Sequence, residues 1–188
     1  MEDVAKQILN YLGNSHTKVE RKQGFMGNYY SPLIDTIYIA EDFENNKLPS
    51  GAEKINKKAA ELIVMCHECI HSVQSKLLHV LNTICANISL VLFLVYVAMT
   101  IFWISILWVK IATIVSLAVS MVIRLILEIG ATNRSTKLVK EIVDGGIIQD
   151  VTDEDIQQGI EYIDKHKWIV FPQMILDKII FLIVVIII

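Results

Sequence analysis

Cysteine and proline are both rare in this sequence, with three residues of each, and the basic residues give no excess of positive charge. An odd number of cysteines, with Cys66 and Cys69 close together in a helical pattern, excludes a disulfide framework. Reduced thiols are typical of a cytoplasmic or membrane setting. The net charge is −3 and the pI is about 5.9, so the basic footprint of a nucleic-acid-binding protein is missing.

A secretory signal peptide and internal repeats are also missing from the pattern. The chain opens with Met1-Glu2-Asp3, whereas a signal peptide begins with a basic stretch that an apolar run follows. Low complexity is confined to the apolar tail. We therefore expect any insertion into a membrane to use internal segments.

Apolar residues are in excess, at 54% of the chain with a mean hydropathy of +0.51. The segment Ile84–Trp108 has 25 residues and Ile111–Leu127 has 17, which as helices span roughly 37 Å and roughly 26 Å. Joined at Val109-Lys110, they predict a helical hairpin that crosses a lipid bilayer, with a buried hairpin in a soluble core as the alternative. Residues 168–188 predict a third spanning or membrane-associated helix, although Asp177 and Lys178 interrupt it.

The remaining segments alternate between helical and strand patterns. An amphipathic helix is predicted over 2–12 with Gly13 at its end, strands within 17–40 with a hairpin turn over Ser31–Asp35, and a loop over 41–52. A long helix is expected from Glu53 to Leu81, continuing directly into the first apolar segment. Two further helices are predicted over 132–143 and 153–165, the second capped by Thr152.

The five residues His67-Glu68-Cys69-Ile70-His71 form an H-E-x-x-H motif within the long predicted helix. At about 100° per residue, the two histidines lie about 40° apart on one face, one turn from each other, so both imidazoles can bind one zinc ion. Glu68 lies to the side of this face and can accept a proton from a water that zinc activates for attack on a carbonyl. The alternative is a pair of histidines that binds no metal.

The neighbouring cysteines do not fit the same site. Cys69 lies about 200° from His67 around the helix and Cys66 about 100°, so one ion cannot collect both cysteines and both histidines from an unbroken helix. These thiols are interpreted as packing residues.

A catalytic zinc ion needs a third protein ligand, and the sequence offers Glu128 for that position. The metzincin spacing would place the ligand at Leu77, which cannot bind zinc. Glu128 follows the second apolar segment directly, and a hairpin returns the chain to the membrane face that it left after His71. The alternative role for Glu128 is an ion pair with Arg124, one helical turn earlier.

Two acidic residues further along the chain, Glu141 and Asp144, are the next candidates for the third ligand if Glu128 is not part of the site.

The motif and its surroundings resemble the YugP-like membrane zinc metallopeptidases of bacteria, which are of the gluzincin type. The stretch from His67 to Gln74 is similar to the family segment H-E-V-G-H-A-I-Q, and Tyr29 to Ile39 is similar to an aromatic hairpin that precedes it. Glu128 to Ser135 is similar to the family segment E-F-x-A-S-R-R-A, whose glutamate is expected to be the third zinc ligand. The resemblance covers nearly the whole chain.

The chain departs from the family pattern at three points. Ile70 stands where the family has glycine, Gly130 stands where an acid is common, and the usual N-terminal span is not found. The first two departures leave His67, His71 and Glu128 unchanged.

We therefore predict an α+β, mostly helical fold in which a small zincin-like domain is fused to a transmembrane hairpin. The zincin-like domain would be formed by residues 1–83, which carry the motif, and by residues 128–167. Residues 84–127 would form the hairpin, and residues 168–188 a third transmembrane or membrane-associated helix. We also predict that a peptide substrate pairs with the edge of the strand near Tyr38.

The expected function is that of a membrane-embedded zinc metallopeptidase that cleaves peptide or protein substrates, with Zn²⁺ on His67, His71 and Glu128 and with Glu68 as the general base. The alternative is a zinc-stabilised membrane scaffold or chaperone-like protein without turnover. The expected partners are the substrate and the lipid bilayer, with no nucleic acid.

The distribution of basic residues predicts the orientation in the membrane. Four of them flank the two spans on the side of the motif, namely Lys76, Arg134, Lys137 and Lys140, and Lys110 alone lies at the tip of the hairpin. Because cytoplasmic loops are enriched in Lys and Arg, the zinc domain is expected to face the cytoplasm.

Overall fold

The computed structural model describes residues 1–23, 28–40, 56–102, 107–148 and 151–187, and the chain in these ranges is mostly helical with a small three-stranded sheet. It divides into two compact units. The first comprises Met1–Gln74 and Gly130–Lys167, and the second Ser75–Ile129 and Trp168–Ile188. The mostly helical α+β class is confirmed. The predicted loop over 41–52 lies outside the described residues.

The first unit begins with helix α1 (Glu2–Tyr11), which is followed by Gly13 at a φ of +72°. This left-handed conformation favours glycine and explains why the helix stops there. Three strands follow, β1 (Lys18–Lys22), β2 (Tyr29–Ser31) and β3 (Thr36–Ala40).

The strand order in this sheet is β1-β3-β2, with β3 parallel to β1 and antiparallel to β2. The predicted hairpin is therefore present as β2 and β3. The prediction that the strand near Tyr38 offers an edge to a substrate is wrong, because Tyr38 pairs with Glu20 on one side and with Tyr29 on the other. Among the described strands, the edges belong to β1 and β2.

Helix α2 (Lys57–Val73) carries the motif, and helix α3 (Lys76–Ile101) follows it after a break. The prediction of one continuous helix is wrong at this point. Gln74 has a ψ of 166°, which takes the backbone out of the helical path, and Ser75 precedes α3 in the position that favours serine. The sequence has neither glycine nor proline here, so the usual signals of a helix end are missing.

The core of the first unit is formed by buried apolar side chains from α1, the sheet, α2 and the residues after 130. The largest fully buried members are Ile8, Leu9, Ile37, Met65, Ile70, Ile142, Ile156 and Val139. The capping threonine is confirmed: Thr152 Oγ1 accepts from the backbone N–H of Asp155 at 3.2 Å. The helix it caps, α5 (Asp153–Met174), extends beyond its predicted end.

Helix α4 (Leu107–Asp144) is a single helix of 38 residues that begins in the second unit and ends in the first. It combines the predicted second span with the helix predicted over 132–143. Lys110 lies within the first turn of α4, so its predicted place at the connection of the hairpin is wrong. In the second unit, the Thr113 hydroxyl donates to the Leu92 carbonyl at 3.4 Å, which places α3 and α4 side by side.

Helices α3 and α4 are both long and apolar enough to cross a membrane. Only 11% of the most apolar window of α3 and 28% of that of α4 is buried, which is not the pattern of a helix in a soluble core. Their exposed side chains are mostly Leu, Ile and Val. Contiguous exposed apolar side chains of this kind are typical of surfaces that contact a membrane or another protein.

The predicted third apolar segment is divided between two helices. Its first part is the end of α5, its second part is the whole of α6 (Leu176–Ile187), and Ile175 separates them. Twelve residues of α6 span about 18 Å, less than the hydrocarbon core of a bilayer. α6 packs on α3 through Phe93 and Phe181, whose rings stack at 4.3 Å, and through Tyr96, whose hydroxyl donates to Val185 O at 3.5 Å. A third complete span stays a prediction.

The packing of the first unit predicts a large effect of Ile142→Ala. Ile142 is fully buried, so its truncation should lower the free energy of unfolding by about 2–5 kcal/mol, because a cavity replaces apolar contacts. Urea unfolding in detergent, followed by circular dichroism, measures this change. Lys140→Ala, at an exposed position of the same helix, is the control and should change stability by no more than about 0.5 kcal/mol. Equal effects of the two substitutions would contradict the described core.

Candidate metal site

The two histidines of the motif face each other across one turn of α2. His67 Nε2 and His71 Nε2 are 3.0 Å apart, and the two rings meet edge to face with centroids 4.7 Å apart. His71 is buried, while His67 is half-buried. The one-turn spacing of the motif thus brings both ring nitrogens to one point, as its helical geometry predicts.

The third member of the cluster is Glu128 on α4, and this residue is almost fully buried, at 4% exposure. One ligand atom each from His67, His71 and Glu128 lie within 4.8 Å of one another, so this group could bind a metal ion. Three atoms at about 2.1 Å from one tetrahedral ion are separated by about 3.4 Å, so only small side-chain shifts are required.

Glu128 also forms the ion pair that the sequence offered as its alternative role. Arg124 Nη2 lies 2.7 Å from Glu128 Oε1. The two roles are compatible, because a carboxylate has two oxygens and several acceptor positions. The pair supplies a fixed positive charge next to a buried carboxylate, which would otherwise be costly to bury.

The donor set of two imidazole nitrogens and one carboxylate oxygen fits a catalytic zinc ion. Three protein ligands leave a fourth coordination position for water or substrate. The same donors also bind other divalent transition metals, so the set alone does not define the metal.

Each histidine has a neighbour for its other ring nitrogen. His71 Nδ1 is 2.8 Å from Gln74 Oε1, and His67 Nδ1 is 3.5 Å from the Thr132 hydroxyl. Such partners orient the imidazoles of metal sites. The sequence analysis did not identify Gln74 or Thr132 as partners of the histidines. Gln74 follows His71 by three residues and Thr132 follows Glu128 by four, and this helical spacing could have indicated that they lie near the site.

Glu68 is held by the sheet. The backbone N–H of Tyr30, in β2, donates to Glu68 Oε2 at 2.8 Å. The Glu68 carboxylate thus lies against the edge of β2, on the same helix as the two histidines. The partner is a main-chain group, which no side-chain pattern could have revealed.

A polar network around Asp35 supports the position of Tyr30. The hydroxyls of Tyr30 and Thr17 both donate to Asp35 Oδ1 at 2.9 Å. Burial, and then the bond to Asp35, raise the pKa of Tyr30 above its usual value, so its hydroxyl stays a donor at neutral pH. Asn14 Nδ2 links Thr17, at 2.9 Å, to the Ser72 hydroxyl at 2.8 Å. The network therefore returns to α2 next to His71.

The two cysteines of the motif helix face the core. Cys66 and Cys69 are completely buried and form no disulfide. Burial raises the pKa of Cys66 to about 12 and raises that of Cys69 as well. Both side chains belong to the apolar core of the first unit, so they are packing residues, as the helical geometry predicted.

The other candidate ligands are not in the cluster. Glu141 accepts a hydrogen bond from the Tyr11 hydroxyl at 3.3 Å. Neither Glu141 nor Asp144 is a member of the metal-binding group found among the described residues.

No protein-family model, curated protein or solved structure matches this chain. The interpretation of the site therefore depends on its residues and their geometry.

The network around Asp35 predicts different effects for two substitutions. Asp35 has a φ of +50°, a left-handed conformation that asparagine tolerates and that disfavours alanine. Asp35→Asn keeps an acceptor for Tyr30 and Thr17 and should stay close to the wild type in stability. Asp35→Ala loses both bonds and should lower the free energy of unfolding by about 1–3 kcal/mol. Chemical unfolding measures both, and an equal loss in the two variants would contradict the network.

Proposed function

We propose that this protein is a membrane-embedded zinc metallopeptidase that hydrolyses peptide bonds. The observation that carries the proposal is the convergence of His67, His71 and Glu128 within 4.8 Å, with Glu68 next to His67 on the same helix. The two histidines alone would be a common pair on a helix. A buried carboxylate from a distant helix, added to an H-E-x-x-H motif, is the ligand set of a catalytic zinc site.

In this proposal the chain's own residues hold the metal and move the proton. His67, His71 and Glu128 are the ligands. Bound zinc supplies Lewis acidity, which activates water and polarises a carbonyl. Glu68 accepts the proton of the attacking water and passes it to the leaving amine. The Tyr30 N–H, at 2.8 Å from Oε2, fixes the direction of this carboxylate.

The edge of β2 is the proposed place for a peptide substrate. Tyr30 lies in this strand and its backbone contacts the general base, so an extended peptide along β2 would lie close to Glu68. Strand addition would use main-chain groups of β2 other than the Tyr30 N–H, which bonds Glu68, and it does not require one particular peptide sequence. This replaces the edge near Tyr38, which is in the central strand.

The membrane setting is supported by the apolar surfaces of α3 and α4. In the proposal both helices cross the bilayer and α6 enters it beside α3. The resemblance to YugP-like peptidases implies the same combination of spans and zinc site, and membership in that family is part of the proposal. Substrates would then be membrane proteins or peptides near the bilayer surface.

The second candidate function is a zinc-stabilised scaffold without turnover, in which His67, His71 and Glu128 would hold the metal and the Arg124–Glu128 ion pair would keep the carboxylate in place. The role of Glu68 separates the two functions. A non-catalytic site has no need for a base beside its ligands.

The central prediction concerns zinc content and hydrolysis. The purified protein should bind about one zinc ion per chain, and His67→Ala, His71→Ala and Glu128→Ala should each lose it, because two remaining ligands hold zinc poorly. Glu68→Gln should keep the zinc and abolish cleavage of fluorescently labelled casein and of quenched peptides in detergent. Elemental analysis and the fluorescence assay measure the two properties separately.

Two matched glutamates serve as controls. Glu61→Gln, on the same helix as Glu68, should keep both zinc and activity, and so should Glu141→Gln, on the same helix as Glu128. Normal zinc content in Glu128→Ala would remove this residue from the site. Unchanged hydrolysis in Glu68→Gln would remove the proposed mechanism.

The orientation in the membrane is a separate prediction. The charge distribution places Lys110 outside and the motif-bearing segment in the cytoplasm. In a Cys85→Ser background, a cysteine at Lys110 should react with a membrane-impermeant maleimide in intact cells. A cysteine at Glu20, exposed in β1, should react only after the membrane is opened. The reverse pattern would place the peptidase on the outer face.

A further inference from the structure

Gln74 is the capping residue directly after the last residue of α2, and its side chain points back to the motif. Its Oε1 lies 2.8 Å from His71 Nδ1, while His71 Nε2 faces His67 Nε2 at 3.0 Å. An amide oxygen can only accept a hydrogen bond, so Nδ1 must carry the proton in this contact. His71 Nε2 is then the nitrogen with the lone pair, and it is the nitrogen in the cluster.

The Gln74 amide can take its position because residue 130, in α4, is a glycine and has no side chain. A Cβ atom at Gly130 would lie 3.0 Å from Gln74 Nε2, which is closer than such atoms normally approach. The atom that it meets is the far end of a flexible side chain. A methyl group at residue 130 would therefore displace the Gln74 amide while α4 stays intact.

We propose that Gln74 is a positioning residue that fixes the Nδ1–H tautomer and the ring direction of His71, in a space that Gly130 keeps open. The proposal rests on the proposed zinc site and adds two residues to it. It also gives a physical reason for glycine at a position where the resembling family often has an acid. The glycine leaves room for the amide that orients the second zinc ligand.

The direct test is the zinc affinity of full-length protein in detergent, measured by competition with a chromophoric chelator. Gln74→Ala should weaken zinc binding by about tenfold or more, as the loss of partners that orient metal ligands does. Gln74→Glu keeps an acceptor oxygen and should bind zinc within about threefold of the wild type. A merely structural role would not be rescued in this way.

Gly130→Ala should weaken zinc binding as Gln74→Ala does, although alanine favours helices more than glycine and should not lower the melting temperature. In the Gln74→Ala background, Gly130→Ala should have no further effect, because the amide that it displaces is gone. Asn133→Ala, at an exposed position of the same helix, is the control and should leave the affinity unchanged. Additive losses in the double variant would overturn the proposal.

The tautomer has a readout that does not need zinc. In the metal-free protein labelled with ¹⁵N-histidine, the ¹⁵N chemical shifts of His71 should show a protonated Nδ1 in the wild type and a mixture of the two tautomers in Gln74→Ala.

A wild type that binds no zinc would overturn the proposed function, whereas zinc binding that is equal in wild type, Gln74→Ala and Gly130→Ala would overturn this inference alone.

Discussion

The burial of Glu128 beside two histidines is the interaction on which the rest of this account depends. One helix can present only two ligands a turn apart, so the third must come from elsewhere in the chain. Glu128 meets this need from α4, and its 4% exposure makes an unpaired charge there unfavourable. Arg124 provides compensation through its ion pair, and a metal ion bound by Glu128 and the histidines would add to it.

Within about two turns of Glu128, three other residues of α4 contact or leave space for residues of the site. Arg124 pairs with Glu128, Gly130 leaves space for the Gln74 amide, and Thr132 lies 3.5 Å from His67. The same helix begins as an apolar segment long enough to cross a membrane. A substitution in these turns of α4 can therefore change the arrangement of His67, His71 and Glu128 without altering the motif.

The sequence allowed the composition of the site to be predicted, but not the groups that orient it. The helical period placed the histidines together, and the hairpin placed Glu128 in reach of them. The break at Gln74 was missed because neither glycine nor proline marks it. The contact between Tyr30 and Glu68 was missed because its donor is a backbone amide, and β3 was assigned an edge because the parallel pairing with β1 joins strands that are distant in sequence.

X-ray absorption at the zinc edge tests the central claim most directly. Zinc-loaded protein should show nitrogen and oxygen ligands at about 2.0–2.2 Å, with imidazole scattering from two histidines and no sulfur at about 2.3 Å. This result would agree with His67, His71 and Glu128 as ligands and with Cys66 and Cys69 as buried thiols. A sulfur shell at the zinc, or an environment that stays the same in Glu128→Ala, would contradict the account.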